Sequence, residues 1–196
     1  NIPIEITRLG NIVFKGAIGG YGKDVATKGM IRTDVGSAKL ALGINGKNFS
    51  GHIETAGIAV GKIINNNKLG IVATKINADG YIKSKDIKIN AKGQIGNLEY
   101  NKYTYRNINI DGLFSMKKTD MRFNGRLDIN DPNGKISIAG DLSKHGKITK
   151  AKVIAAINHL NPSALKLTSS YPSTVFSANI NANFIGDNIN NADGKL

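Results

Sequence analysis

The chain has 196 residues, of which 40% are hydrophobic but only 6% aromatic, and it contains 23 Gly, no Cys and no Trp. This composition excludes a disulfide framework, cysteine metal sites and thiol chemistry, and the length fits one domain better than two. Lys and Arg outnumber Asp and Glu by 27 to 14, so the net charge is +13, and nucleic acid or an anionic membrane surface is the first partner to consider.

The two ends of the chain indicate a piece of a longer protein. Asn1 is not preceded by Met, and no charged-then-apolar leader follows it. Gly194, Lys195 and Leu196 come after a turn-like stretch and predict the start of a further strand. We therefore expect residues 1–196 to form a single β-groove segment excised from a longer chain.

Alternation of apolar and polar residues is the dominant pattern, and it predicts strands with one apolar face and one Lys/Asn face. The earlier runs are the less regular ones: Ile2, Ile4, Ile6; Leu40, Leu42, Ile44; Phe49, Gly51, Ile53; and Val72, Thr74, Ile76, Ala78. The later runs alternate strictly: Ile87 to Ile95, Met121 to Ile129, Ile136 to Leu142 and Phe176 to Phe184. Their spacing predicts about twelve to fourteen strands in an antiparallel meander.

Turn signals separate these runs, because Asn-Gly and Asp-Gly pairs tolerate the positive φ that tight hairpins need. They are Asn45-Gly46, Asn65–Asn67, Asp79-Gly80, Asp111-Gly112 and Asp131–Gly134. One later segment breaks the strand pattern, since Asn161 is a good N-cap and Pro162 suits the first helical position. We expect one short helix near 161–168 that plugs or caps one side of the sheet.

An apolar sheet face must be covered by a second layer or enclosed by the sheet itself, and the sequence offers no long amphipathic helix to cover it. A sandwich, a sheet closed on itself and an open trough all satisfy the pattern. The serial character of the runs favours an all-β fold in which long antiparallel strands form a curled, U-shaped groove with an apolar interior. Small residues on the apolar face would allow such bending, namely Gly93, Gly125, Gly140, Ala178 and Ala182.

The sequence gives little support for an enzymatic activity or a metal site. His52, His145 and His159 share no metal-ligand spacing. Ser163 and Lys166 match a Ser-x-x-Lys motif, but its companion elements are missing. We predict no enzymatic activity, no cofactor and no metal site.

A set of diffuse motifs carries a likeness to a known family. They are Leu9–Gly16, Phe49–Thr55, Val60–Ile63, Leu69-Gly70, Tyr103–Ile108 (Tyr-Thr-Tyr-Arg-Asn-Ile), Phe123–Leu127 (Phe-Asn-Gly-Arg-Leu), Asp131–Gly134, Asn158–Leu165 and Phe176–Ile180. Together they resemble the TamB family, the translocation and assembly module proteins, in the form found in Bacteroidetes-type bacteria. The likeness covers nearly the whole chain and includes no catalytic signature.

The resemblance implies a fold, a place and a role. TamB-like and AsmA-like proteins, grouped with the bridge-like lipid transfer proteins, are long periplasmic chains of Gram-negative bacteria anchored in the inner membrane. Their strands curl into an apolar "β-taco", and they serve outer-membrane biogenesis through lipid transport and protein assembly or secretion. They work beside a TamA-type outer-membrane partner. The anchor helix and the partner-docking end are not recognisable in residues 1–196.

We therefore expect the groove to shield the acyl chains of phospholipids or similar lipids. The candidate lining residues are Ile87, Ile89, Ile95, Met121, Phe123, Leu127, Ile129, Ile136, Ile138, Phe176, Ile180 and Phe184. The alternative is a nucleic-acid or polyanion-binding all-β module. Because Lys and Arg are spread along the strands rather than clustered with stacking aromatics, no nucleic-acid partner is expected.

Overall fold

The computed structural model describes residues 4–169, 173–187 and 193–195, the last three by their backbone alone. Within these ranges the chain forms twelve strands and two short helices. The helices are α1 (Ile4–Thr7) and α2 (Val60–Ile64). The strands are β1 (Val13–Tyr21), β2 (Asp24–Thr33), β3 (Gly36–Asn45), β4 (Asn48–Ala59), β5 (Leu69–Lys83), β6 (Asp86–Tyr100), β7 (Tyr103–Lys117), β8 (Asp120–Asp131), β9 (Gly134–His145), β10 (Ile148–Leu160), β11 (Phe176–Gly186) and β12 (Asp193–Lys195).

All twelve strands belong to one sheet in which sequence order and spatial order are identical. Each strand pairs antiparallel with the next, from β1 to β12. The sheet is open and curled, so the predicted all-β fold is confirmed. Among the helices of the described residues, none is both long and apolar enough to cross a bilayer.

The sheet has no ordinary core. The chain exposes 13342 Å², whereas a compact monomer of 20.9 kDa exposes about 9,000 Å². Within the described residues the buried apolar side chains are small in number, and they comprise Ala38, Ile108, Ala151, Ala155, Leu160 and Leu165. A sandwich would bury far more, so this alternative is wrong for the described part of the chain.

Two predicted turns are wrong. Asp79-Gly80 lies inside β5 and Asp111-Gly112 inside β7. Both glycines pair with residues of the neighbouring strand, and a side chain at either one would collide with that neighbour. These glycines therefore serve close strand approach, which the local Asp-Gly signal does not distinguish from a turn.

The predicted first strand is also wrong. Ile4 and Ile6 lie in α1, where the Arg8 amide donates to the Ile4 carbonyl over 3.1 Å. Ile2 lies outside the described residues. Alternation over only three apolar residues cannot separate a strand from one helical turn.

The segment predicted as a helix near 161–168 forms a single capped turn instead. The Asn161 side chain accepts a hydrogen bond from the Ala164 amide at 2.9 Å, which is the predicted N-cap. Lys166 has a positive φ of 58°, and the Leu167 amide donates to the Pro162 carbonyl at 2.9 Å. This is a Schellman closure, and it ends the helix after one turn.

Candidate functional site

The register aligns the apolar face into rows that run across the strands. The row at the middle of the strands consists only of small residues from β4 to β9, and we call it the small row: Gly51, Ala78, Ala91, Gly112, Gly125 and Gly140. On one side lies the aliphatic row, which includes Ile53, Ile76, Ile110, Leu127 and Ile138. On the other side lies the Phe row, which includes Phe49, Ile89, Phe114, Phe123 and Leu142. Beyond the aliphatic row runs the Ile row: Ile95, Ile108, Ile129, Ile136 and Ile157.

The small row marks a sharp bend of the sheet. A Cβ atom on Gly125 would lie 2.6 Å from the Gly112 Cα, and one on Gly140 would lie 2.4 Å from the Lys152 carbonyl oxygen. In an ordinary antiparallel pair, Cβ atoms stand about 4.5–5.5 Å from their partners. The neighbouring backbones therefore lean toward each other on this face, as predicted for Gly125 and Gly140.

Glycines of the opposite face show the contrary geometry. A Cβ on Gly19 would meet nothing within 4 Å, and one on Gly43 would meet only the Ser50 hydroxyl, at 3.4 Å, and carbonyl oxygen, at 3.8 Å. Crowding on the apolar face and open space on the polar face mean that the apolar face is the inside of the curl. The molecule thus presents an apolar trough that runs across its strands.

The predicted lining residues fall on this one face. Ile95, Ile129 and Ile136 belong to the Ile row, and Leu127, Ile138 and Ile180 to the aliphatic row or its continuation. Ile89, Phe123 and Phe184 belong to the Phe row or its continuation, and Ile87 and Met121 share the next row. Phe176 pairs with Leu160 after a register shift in β10, at the far end of β11.

The sequence analysis missed the contribution of β7. Ile108, Ile110 and Phe114 lie on the inner face in the Ile, aliphatic and Phe rows, between strands β6 and β8. These residues alternate with Asn107, Asn109 and other polar residues in the sequence, but the interpretation of Asp111-Gly112 as a turn divides the alternating run in two. A count of apolar positions on both sides of that pair would have recovered the strand.

One edge of the trough, formed by the ends of β8 and β10, is covered by another part of the chain. The segment that follows β10, residues 161–167, crosses back over three strands, and we call it the plug. The Asn161 amide donates to the Asn133 carbonyl at 2.9 Å, and the Tyr105 hydroxyl donates to the Leu165 carbonyl at 2.8 Å. Leu165 is 3% exposed, and Ile108 at this end of the trough is 4% exposed.

A polar network holds the strands beneath the plug. The buried Asp131 carboxylate accepts hydrogen bonds from the Tyr103 hydroxyl, the Arg106 amide and the Asn133 amide. Burial, with the hydrogen bond to Asp131, raises the pKa of Tyr103, and burial raises the pKa of Tyr105. These tyrosines stay protonated donors at neutral pH, so this network is structural.

The polar face carries short cross-strand ion pairs. Lys92 lies 2.6 Å from Asp111, and Arg122 lies 2.7 Å from Asp141. These hydrogen bonds raise the pKa of Lys92 and hold the pKa of Asp141 below its usual range. Basic residues on this face are thus interspersed with their own counter-charges.

The histidines are dispersed. His52 Nδ1 lies 2.8 Å from Asn77 Oδ1, and His145 Nδ1 lies 2.8 Å from Asp120 Oδ1. In the part of the chain that the structure describes, no three His, Asp or Glu side chains come together as a metal site. Ser163 and Lys166 are both in the plug, where the Lys166 amide donates to the Ser163 carbonyl.

Comparison of the chain with protein-family models, with curated proteins and with solved structures finds no match. The likeness to the TamB family therefore rests on the residues quoted above. The case for function rests on the trough.

Proposed function

We propose that this chain is a segment of a TamB-like envelope protein whose apolar trough shields lipid acyl chains in transit. The observation that carries the proposal is the continuous apolar inner face, which no second layer of the described residues covers outside the plug. Removing an acyl chain from a bilayer into water costs about 0.8 kcal/mol per methylene. An apolar trough offsets that cost along its whole length while the headgroup stays in water.

The dimensions favour a conduit over a single binding pocket. The eleven long strands, β1 to β11, are separated by ten spacings of about 4.8 Å, which gives a trough roughly 48 Å long. An acyl chain spans half of a hydrocarbon core, or about 15 Å. The trough therefore has room for several chain lengths in line, and a lipid can slide along it without leaving an apolar surface.

The remaining parts of the proposal come from the resemblance alone. They place the full-length protein in the periplasm, anchored in the inner membrane and beside a TamA-type outer-membrane partner. There it serves phospholipid transport to the outer membrane and protein assembly in that membrane.

The test introduces charge into the trough and, as a control, onto the other face. Phe123→Asp with Ile138→Asp places two carboxylates among the lining rows. Ile154→Asp with Ile185→Asp places two on the polar face, where these side chains are 57% and 48% exposed. Binding is measured with a photocrosslinkable phospholipid, and folding by far-UV circular dichroism.

We expect the wild-type chain and the polar-face variant to crosslink lipid, and the trough variant to lose at least nine-tenths of the signal, on the order of 1.4 kcal/mol. A wild-type chain that captures no lipid contradicts the proposal. So does a folded trough variant that crosslinks as well as the wild type.

A further inference from the structure

The two ends of the strands differ in charge. Odd-numbered strands all run the same way, so the five turns that follow β1, β3, β5, β7 and β9 lie at one end, opposite the plug. Each of these two-residue turns contains a lysine: Lys23, Lys47, Lys85, Lys118 and Lys147. By contrast, the two-residue turns at the plug end, after β2, β6 and β8, contain one Lys and one Asp between them, and the longer connections after β4 and β10 add only Lys62, Lys68 and Lys166.

Three further lysines flank these turns, namely Lys83, Lys117 and Lys144, and we call the eight together the lysine rim. All eight are exposed, and within the described residues none of them forms an ion pair. The acidic residues beside the turns are Asp24, Asp86 and Asp120. The rim therefore has a clear excess of positive charge, although its members are up to 124 residues apart in sequence.

Backbone hydrogen bonds connect the first four of these turns, either directly or through the end of the strand that leads into the turn. The Gly46 amide donates to the Lys23 carbonyl at 3.1 Å, and the Lys118 amide donates to the Lys85 carbonyl at 2.8 Å. The Ile82 amide likewise donates to the Lys47 carbonyl at 3.0 Å. Turns two strands apart are about 10 Å from each other, close to the screening length of about 8 Å at physiological salt. The positive fields of neighbouring turns therefore overlap.

The apolar trough opens beside this rim. Ile44, Ile82 and Met121, the apolar residues nearest the turns, are 47%, 53% and 43% exposed. In the Ile row, at the plug end, no residue is exposed. A depression of about 540 Å³ also lies at the rim end between β1 and β4, and Tyr21, Ile44 and other residues line it.

We propose that the lysine rim docks this protein on the surface of an anionic phospholipid bilayer, with the open side of the trough facing the lipids. A row of lysines beside exposed aliphatic side chains matches a surface that is anionic outside and apolar beneath. The inference goes beyond the proposed function and does not depend on it, because the rim would hold an anionic bilayer even if the trough stayed empty. Tyr21 is the one exposed aromatic side chain beside these turns in the described residues, whereas single-strand binders stack successive bases on several aromatics, so the bilayer fits better than nucleic acid.

The test removes charge from the rim while a control removes the same charge elsewhere. In the rim variant Lys23, Lys47, Lys85 and Lys147 become Gln, and Lys118, whose φ is 58°, becomes Asn, which tolerates that conformation. The control variant carries five Lys→Gln changes at exposed polar-face positions away from the rim: Lys15, Lys28, Lys39, Lys135 and Lys152. Co-sedimentation is measured at about 0.1 M salt with phosphatidylcholine vesicles, with and without about 30% phosphatidylglycerol.

Each rim lysine contributes up to about fivefold in affinity for an anionic surface. We expect the wild type to bind only the anionic vesicles, the rim variant to bind them at least 100-fold more weakly, and the control to lose less than tenfold. Equal losses in the two variants would show that net charge alone matters and would overturn the proposal. A wild type that ignores anionic vesicles, or that binds a single-stranded oligonucleotide through the rim but no vesicle, also overturns it.

Discussion

Replacement of Gly125 by Ala tests whether close backbone approach produces the curl of the sheet. The added Cβ would lie 2.6 Å from both the Gly112 Cα and the Asp111 carbonyl oxygen, and 3.0 Å from the Phe123 ring. Two of these three contacts are backbone atoms. They can be relieved only if β7 and β8 separate on the inner face.

The magnitude follows from two opposing effects. Overpacking of this kind costs about 1–3 kcal/mol. Loss of glycine's freedom in the unfolded chain returns about 0.4–1 kcal/mol. We expect Gly125→Ala to lower the free energy of unfolding by about 1–2 kcal/mol. Gly43→Ala, on the open polar face, should raise it by about 0.5 kcal/mol.

The assay is urea unfolding followed by circular dichroism, with melting temperatures as a second readout. The two variants should differ by about 2 kcal/mol, which corresponds to about 4–8 °C for a chain of this size. A double variant with Gly112→Ala should lose less than the sum of the single losses, because strands already parted by one Cβ accommodate the second. If Gly125→Ala proves as stable as Gly43→Ala, the curl does not depend on the small row.

Two further predictions concern the polar face and the plug. The Arg126 guanidinium and the Ser137 hydroxyl hold the pKa of Asp128 below its usual range, so the stability this carboxylate adds is present above its unfolded pKa of about 4 and is lost as pH falls through the folded value. Urea midpoints of the wild type and Arg126→Gln should therefore differ at neutral pH and converge as the pH falls through the folded pKa of Asp128, and a difference that does not narrow in acid contradicts this assignment. Tyr105→Phe removes the hydrogen bond to the Leu165 carbonyl, and amide exchange in the plug should then quicken by about fivefold, for a loss of roughly 1 kcal/mol. Unchanged exchange would mean that the plug is held by its apolar side chains alone.

The segments that form strands, and the face of the sheet on which each residue lies, could be predicted because alternation is a local property of a one-sided sheet. The run from Met121 to Ile129 is an example, since each residue lies on the face that its position in the run predicts. The prediction of turns failed where a glycine can serve either a hairpin turn or close approach of two strands. Gly80 and Gly112 each follow an Asp, and only the neighbouring strand decides between a hairpin turn and close approach in mid-strand.

A segment near 161–168 that caps one side of the sheet was predicted from the sequence, but the rim and the contact partners of the plug were not, because both depend on contacts between distant parts of the chain. Lys23 and Lys147 lie at the same end of the sheet only because the meander places every second turn there. The plug contacts Tyr105, 60 residues before Leu165, through a backbone carbonyl that no side-chain pattern reveals.

Rim and trough together restrict what can cover the apolar face. A second copy seated trough to trough and aligned end to end would bring two lysine rims together, and like charges in such proximity oppose association. An anionic amphiphile meets no such repulsion, because its headgroup neutralises the rim while its chain covers the rows beneath. The positive charge of the protein, +13 in total, therefore disfavours self-association through the trough in that alignment. It favours ligands that combine an anionic head with an apolar tail.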